Sequence, residues 1–209
     1  MEKTFMEAMD YRHACKLFDE TKKISDEDLN FILEAGRKSP SSFGMEPWKF
    51  LVITNDELRE KIRPLCWNQP QITTSSHLVI VLAAIEDVKP ESGTPLRKFG
   101  RREMPKEKLD FYTNIYSEHL KETLSSDENV FAWTARQTYI AIGNMMTGAA
   151  IKGIDSCPIE GFEKEPLEEL LQLDTTKYQL ACIVGFGYRV NPQSTQLRED
   201  LDTIVEYIN

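Results

Sequence analysis

Arg12, His13 and Lys16 fall within the five residues "RHACK", in a chain whose formal net charge is −9. A guanidinium, an imidazole and an ammonium this close together suit an anion. The guanidinium's planar donors take two oxygens at once and its charge is permanent. The same cluster also suits a solvated helix end, the ordinary place for surface cations. Three other stretches carry residue types that could do chemistry: "SPSSFGMEPW" at 39–48, "PIEGF" at 158–162 and "QLR" at 196–198. Each has a plain reading as well. Ser and Pro end helices whatever the function, and "PIEGF" reads as a Pro and Gly loop between two helices. "GFG" at 185–187 lacks the third glycine and the following helix of a dinucleotide fingerprint, so there is no Rossmann signature.

The elements that position these residues follow from periodicity. Phe5, Met6 and Met9 predict a short amphipathic helix over Glu2 to Tyr11. "SDEDLNFILEAGRK" opens with a capping pattern, Ser25 and then Asp28, and places Leu29, Ile32, Leu33 and Gly36 on one helical face. "WKFLVITND" predicts a short strand, and "HLVIVLAAI" a strand covered on both faces of the same central sheet. Residues 88–106, with three prolines and two glycines, read as a loop or excursion, followed by a helix from Lys106 to about Leu124. Residues 128–153 are apolar on most of a helical circumference and close on Gly153, which predicts a long buried helix at the core of the fold or of a dimer. "KYQLACIVGFG" supplies a further buried strand, and the β-branched tail "LDTIVEYIN" reads as a strand too.

Composition sets the outer bounds. At 209 residues, 41% apolar and 28% charged, the chain fits one α/β-type globular domain spanning 1–209. Its four cysteines are scattered with no histidine at ligand spacing, which argues against a structural zinc or other metal site. An acidic balance argues against nucleic acid as a partner. No apolar run reaches the ~20 residues of a membrane span, and the N-terminus has no signal-peptide pattern, so the expected location is the cytoplasm, off the membrane.

Taken together and in order, "RHACKLFD", "SPSSFGMEPWKF", "WNQPQITTSSHLVIV", "ARQTYIAIGNMMTGAAIKGIDSCPIEGF" and "VGFGYR" resemble the nitroreductase family, FMN-dependent NAD(P)H oxidoreductases, over nearly the whole chain. Within the family the resemblance is to the oxygen-insensitive bacterial nitroreductases. It implies an α+β fold with helices around a mainly antiparallel sheet, in an obligate homodimer whose two FMN sites lie at the subunit interface. The C-terminal tail would be exchanged as the last strand of the partner's sheet. By position, Arg12, His13, Ala14 and Arg198 would bind the FMN phosphate, and Lys16 would reach N1 and O2 of the ring. Pro40, Ser41 and Ser42 would meet the pyrimidine edge from the other chain, with Asn68 near the same edge. Pro158, Ile159, Glu160 and Gly161 would lie along the ring, Lys16 and Glu160 tuning it, and Phe43 and Gln71 would face the substrate. No side chain is marked as a catalytic acid or base; on this resemblance N5 of the flavin would carry hydride from NADH or NADPH to a small-molecule acceptor in ping-pong fashion. Two positions depart from the family pattern: Gln71 and Gln196 stand where lysines are usual. Arg97, Lys98, Arg101 and Arg102 read either as solvated charges or as a contact for a nicotinamide 2′-phosphate. The alternatives are a same-fold flavoenzyme of another reaction, reductive dehalogenation or flavin breakdown, and a non-catalytic flavin-binding protein.

Overall fold

The strand His77–Ala84 (β2) has seven of its eight residues buried, without polar alternation, because both faces of the sheet are covered. In the computed structural model, which describes residues 2–208, β2 pairs antiparallel with Trp48–Ile53 (β1) on one side and Tyr178–Gly187 (β4) on the other. Asp155–Ile159 (β3) pairs antiparallel with β4, giving the order β1-β2-β4-β3. Side chains of β2 alternate between two cores. Leu78, Ile80 and Leu82 pack with Ile62 of Asp56–Leu65 (α3), Ile72 of Gln71–Thr74 (α4) and Leu167 of Lys164–Leu170 (α8). Val79 and Val81 pack with Ile32 of Asp26–Arg37 (α2) and with Ile142, Met145 and Ala149 of Asp127–Ile151 (α7). The fold is therefore α+β.

Local chemistry explains the long elements. Ser25 accepts the Asp28 amide at 3.1 Å and caps α2. Gly36 lets α2 close on α7, since a Cβ there would lie 2.8 Å from the Met145 side chain. Ser126 caps α7 by accepting the Asn129 amide at 3.2 Å, and Gly153 at φ +74° follows its end. Lys106–Thr123 (α6) closes a third core, where Tyr116 and Leu120 meet Trp133 of α7. Among the described residues no helix is long and apolar enough to cross a membrane.

Three expectations are corrected. Residues 88–106 are not all loop: Thr94–Gly100 (α5) is helical, with Pro95 tolerated in the first turn and Phe99 buried against Tyr116. "PIEGF" is not wholly a loop between helices, because Pro158 and Ile159 belong to β3; Pro158 fits there because β3 lies at the edge of this chain's sheet, where a missing N–H is tolerated. The tail forms no strand in the single chain. Leu201–Ile204 (α9) is one helical turn, and residues 205–208 are exposed without a ladder partner; Asn209 lies outside the described residues. A β-branched run becomes a strand only through its ladder, and the tail pairs with no strand among the described residues. Helices α3, α4 and α8, and the helix Phe5–Tyr11 (α1) that packs on α7, complete the layers.

Arg59 is fully enclosed beside the sheet, donating to the Ile72 carbonyl at 2.9 Å and to the Ser75 hydroxyl at 2.6 Å. Arg59→Met removes the donors while leaving those oxygens buried, and is expected to cost roughly 2–4 kcal/mol. Urea denaturation of the variant against the parent checks this.

Candidate functional site

The site is built around Asp155, at the first position of β3 and 3% exposed. Its carboxylate accepts the Arg189 backbone N–H at 2.9 Å, the Arg189 Nε at 2.7 Å and the Tyr11 hydroxyl at 3.3 Å. Arg189 lies over the Tyr11 ring, 4.1 Å from its centre, and donates to the Tyr11 carbonyl. The strand-like segment after α1 is thereby fastened to the sheet. Cys15 N–H bonds to the Ser156 carbonyl at 3.1 Å, and Asp19 N–H to the Tyr188 carbonyl at 2.8 Å. Asp155 and Arg189 were not singled out by the sequence; a buried acid at a strand start is visible only once the strand is.

With 12–16 so held, Arg12, His13 and Ala14 line a cavity of about 430 Å³ whose opposite wall is Ser194 to Arg198. His13, Ala14, Lys16 and Arg189 line an adjoining one of about 110 Å³. Among the described residues Arg12, Lys16 and Arg198 make no ion pair; the Lys16 ammonium reaches Cys157 Sγ at 3.7 Å, and Arg198 bonds only the Leu197 carbonyl. A larger cavity, about 560 Å³, lies between Lys89 and the start of α7 and contains none of these residues. Gln196 does not face the cavity as a spare donor. Its amide is taken up by the carbonyls of Met9 and Asp10, at 3.0 and 2.9 Å, and of Arg12.

Gln71 is 1% exposed, donating to Gln69 and lying 3.8 Å from Cys157 Sγ, which takes it out of any open acceptor space in this chain. Burial pushes the Cys157 thiol up from its usual range, against the pull of Lys16, so it stays a thiol beside that ammonium.

Asn68 follows Trp67 in a pair of left-handed residues, φ +55° and +53°. This turn is tied to the segment after β3: Gln69 Nε2 donates to the Gly161 carbonyl at 2.9 Å and Trp67 Nε1 to Glu163 at 3.0 Å. Gly161 is required, because a Cβ would lie 2.6 Å from the Trp67 ring. The N–H groups of Glu160 and Gly161 have no acceptor among the described residues. The Glu160 carboxylate accepts the hydroxyl of Tyr139 on α7.

Pro40, Ser41, Ser42 and Phe43 are not brought to this cluster. Ser42 N–H bonds to Gln137 Oε1 of α7 at 2.9 Å, Ser41 Oγ accepts the Glu46 amide, and Phe43 packs edge-on to Tyr116, ring centres 5.1 Å apart. Residues 137 and 139 point roughly 200° apart around a helix of 3.6 residues per turn. One chain therefore carries its serine turn and its Glu160 on different sides of α7.

The sequence profile of the Nitroreductase family matches residues 9–188. The chain belongs to the nitroreductase family. It is 41% identical over 213 residues to a Bacillus subtilis protein provisionally named NAD(P)H nitroreductase YfkO, covering 97% of this chain and 96% of that protein. A Staphylococcus epidermidis relative with the same provisional name, SERP2086, is 42% identical and covers 100% of this chain and 98% of its own length. A crystal structure of an Exiguobacterium sibiricum protein described as a nitroreductase in complex with FMN superposes with a TM-score of 0.84 at 24% identity, over 99% of this chain and 98% of that one. The latter likeness concerns the fold.

His13 Nδ1 is buried with no hydrogen-bond partner among the described residues, 3.8 Å from Asp155. Burial and then the Arg189 charge hold His13 below its usual 6.5; burial, then Arg59, does the same for His77. Both histidines then bind protons more readily in the unfolded chain, so stability present above pH 6.5 is lost as the pH falls below it. Urea midpoints are expected to drop between about pH 7.5 and about pH 5.5, and to drop less in the double variant His13→Gln, His77→Gln.

Proposed function

We propose that the chain is an FMN-dependent NAD(P)H oxidoreductase that acts as a homodimer on nitroaromatics, quinones and similar planar electrophiles. The observation that carries this reading is the meeting of Arg12 and Arg198, from opposite ends of the chain, at one cavity with no carboxylate partner on either among the described residues. In a chain of net charge −9, two unpaired guanidinium groups on one cavity fit a phosphate. The rest of the site fits a flavin in the same orientation. Lys16 adjoins the phosphate cavity, and the free N–H groups of Glu160 and Gly161 are donors for ring acceptors.

When bound, FMN supplies the two-electron chemistry that no side chain stores, with hydride entering from NAD(P)H and leaving to the acceptor in ping-pong order. The protein's part is positional and electrostatic. Arg12, His13, Ala14 and Arg198 hold the phosphate; Lys16 places positive charge where reduction puts negative charge. Asn68 sits at the ring's pyrimidine edge, and Pro158, Ile159, Glu160 and Gly161 form its backbone rail. Pro40, Ser41 and Ser42 complete that edge from a second chain, and Phe43 faces the acceptor. The placement of Ser42 and Glu160 on different sides of α7 supports this sharing, as do the exposed Tyr139 and Ile140 on that helix. Exchange of the tail "LDTIVEYIN" would give its exposed apolar residues, Ile204, Tyr207 and Ile208, a partner.

The reading is tested by colour. The purified protein should be yellow, bleach with NADPH under anaerobic conditions and recolour with nitrofurazone. Arg12→Ala and Arg198→Ala should each lose flavin on dialysis, a charge-assisted contact being worth ~1.5–3 kcal/mol, with thermal unfolding of the flavin-free protein unchanged. Equal flavin retention would remove the phosphate assignment.

Lys16→Met keeps the apolar stem and deletes the charge. FMN should stay bound while its midpoint potential falls, ~30 mV for each ~1.4 kcal/mol of electrostatic stabilisation lost. A redox titration reads this, and an unchanged potential would make Lys16 an ordinary surface cation.

A further inference from the structure

Of the four cations near α5, Arg97, Arg101 and Arg102 are exposed and Lys98 is half-buried. Three of them grip the turn at 42–46. Arg102 Nη2 donates to the Phe43 carbonyl at 3.0 Å, and the Lys98 ammonium donates to the Met45 carbonyl. Arg101 places two donors on the Glu46 carboxylate, at 3.1 and 3.3 Å. Arg97 alone has no such partner among the described residues.

The gripped turn is one that would not hold its shape unaided. Phe43, Gly44 and Glu46 are all left-handed, at φ +55°, +69° and +44°, and two of these carry side chains that disfavour it. Such a backbone turns its carbonyls away from ordinary turn bonds. Those of Phe43 and Met45 receive no backbone N–H among the described residues, and Arg102 and Lys98 are their donors. On its other side the turn is fastened by its amides, with Gly44 N–H on the Ser41 carbonyl, Met45 N–H on that of Ser42, and Glu46 N–H on the Ser41 hydroxyl. Met45 is fully buried below it. The ring of Phe43 is left with one seat, against Tyr116 and His119, with centres 5.1 and 5.7 Å away.

We propose that Lys98, Arg101 and Arg102 are positioning residues for the electron acceptor: they hold the 42–46 turn in its left-handed form and so fix where Phe43 stands, and they do not bind the nicotinamide 2′-phosphate. The inference rests on the reading of Ser41, Ser42 and Phe43 as part of a flavin site. Arg101 is paired with Glu46, and Lys98 and Arg102 each spend a donor on a backbone carbonyl, which reduces what they offer a phosphate. Selectivity toward acceptors then depends on the end of α5 and the two residues that follow it.

The double variant Arg101→Ala, Arg102→Ala of the full-length protein tests this, with Arg97→Ala as the control for lost charge. Amide hydrogen exchange at 42, 44, 45 and 46 should become about tenfold faster in the double variant and stay at the parental rate in the control. In steady-state kinetics, kcat/KM for nitroaromatic acceptors should fall by about tenfold in the double variant while the NADPH to NADH preference is unchanged. Unchanged exchange at the turn would overturn the proposal. So would a tenfold loss of NADPH preference, which would put the cations on the phosphate. The exchange measurement needs no flavin, so a colourless parent protein would sink the flavin reading while the turn amides still decide the clamp.

Discussion

A carboxylate buried at the beginning of an edge strand is costly unless every lone pair finds a donor, and Asp155 is the point where this chain meets that cost. Its donors come from two places far apart in sequence, Tyr11 and Arg189. Satisfying one oxygen pair therefore decides where the end of α1 lies relative to the exit of β4. Arg189 in turn holds Gln193, and Gln193 and Gln196 hold the carbonyls at the end of α1. The cavity between Arg12 and Arg198 exists because those two segments are facing walls fastened at their base. Loss of the acid would leave a half-buried guanidinium and free the walls together.

Much of the fold was legible because its signals are local. The cap at Ser25, the unbroken apolar run of β2 and the apolar circumference of α7 each name an element without reference to any other. What was illegible depends on partners. β3 is five residues containing a proline, and only its pairing with β4 and its contact with Ala14 make it a strand. Phe99 makes α5 a helix by burying itself, where the count of prolines and glycines around it argues for a loop.

The site divides along the same line. Arg12, His13 and Lys16 stood out because three cationic or titratable types in five residues are conspicuous in an acidic chain. Asp155, Arg189 and Tyr139 did not, since a lone acid, base or tyrosine is ordinary until its neighbours are known. The two glutamines at positions where the family resemblance leads one to expect lysine have structural work in this chain. Gln71 is packed against Cys157, and Gln196 closes α1; an ammonium would satisfy neither set of neighbours with the same planar geometry.

The helix α7 holds Ser42 through Gln137 and Glu160 through Tyr139, on nearly opposite sides of one rigid rod. Rolling the rod about its axis carries one anchor up as the other goes down, so no rotation improves both. Over evolutionary time this constrains chain length more than residue identity. An insertion or deletion between 137 and 139 would swing one anchor by a large angle, whereas the connection before α5 can lengthen without turning either anchor. Lineages sharing this architecture are expected to vary in the 86–93 region and to keep the central turns of α7 free of gaps.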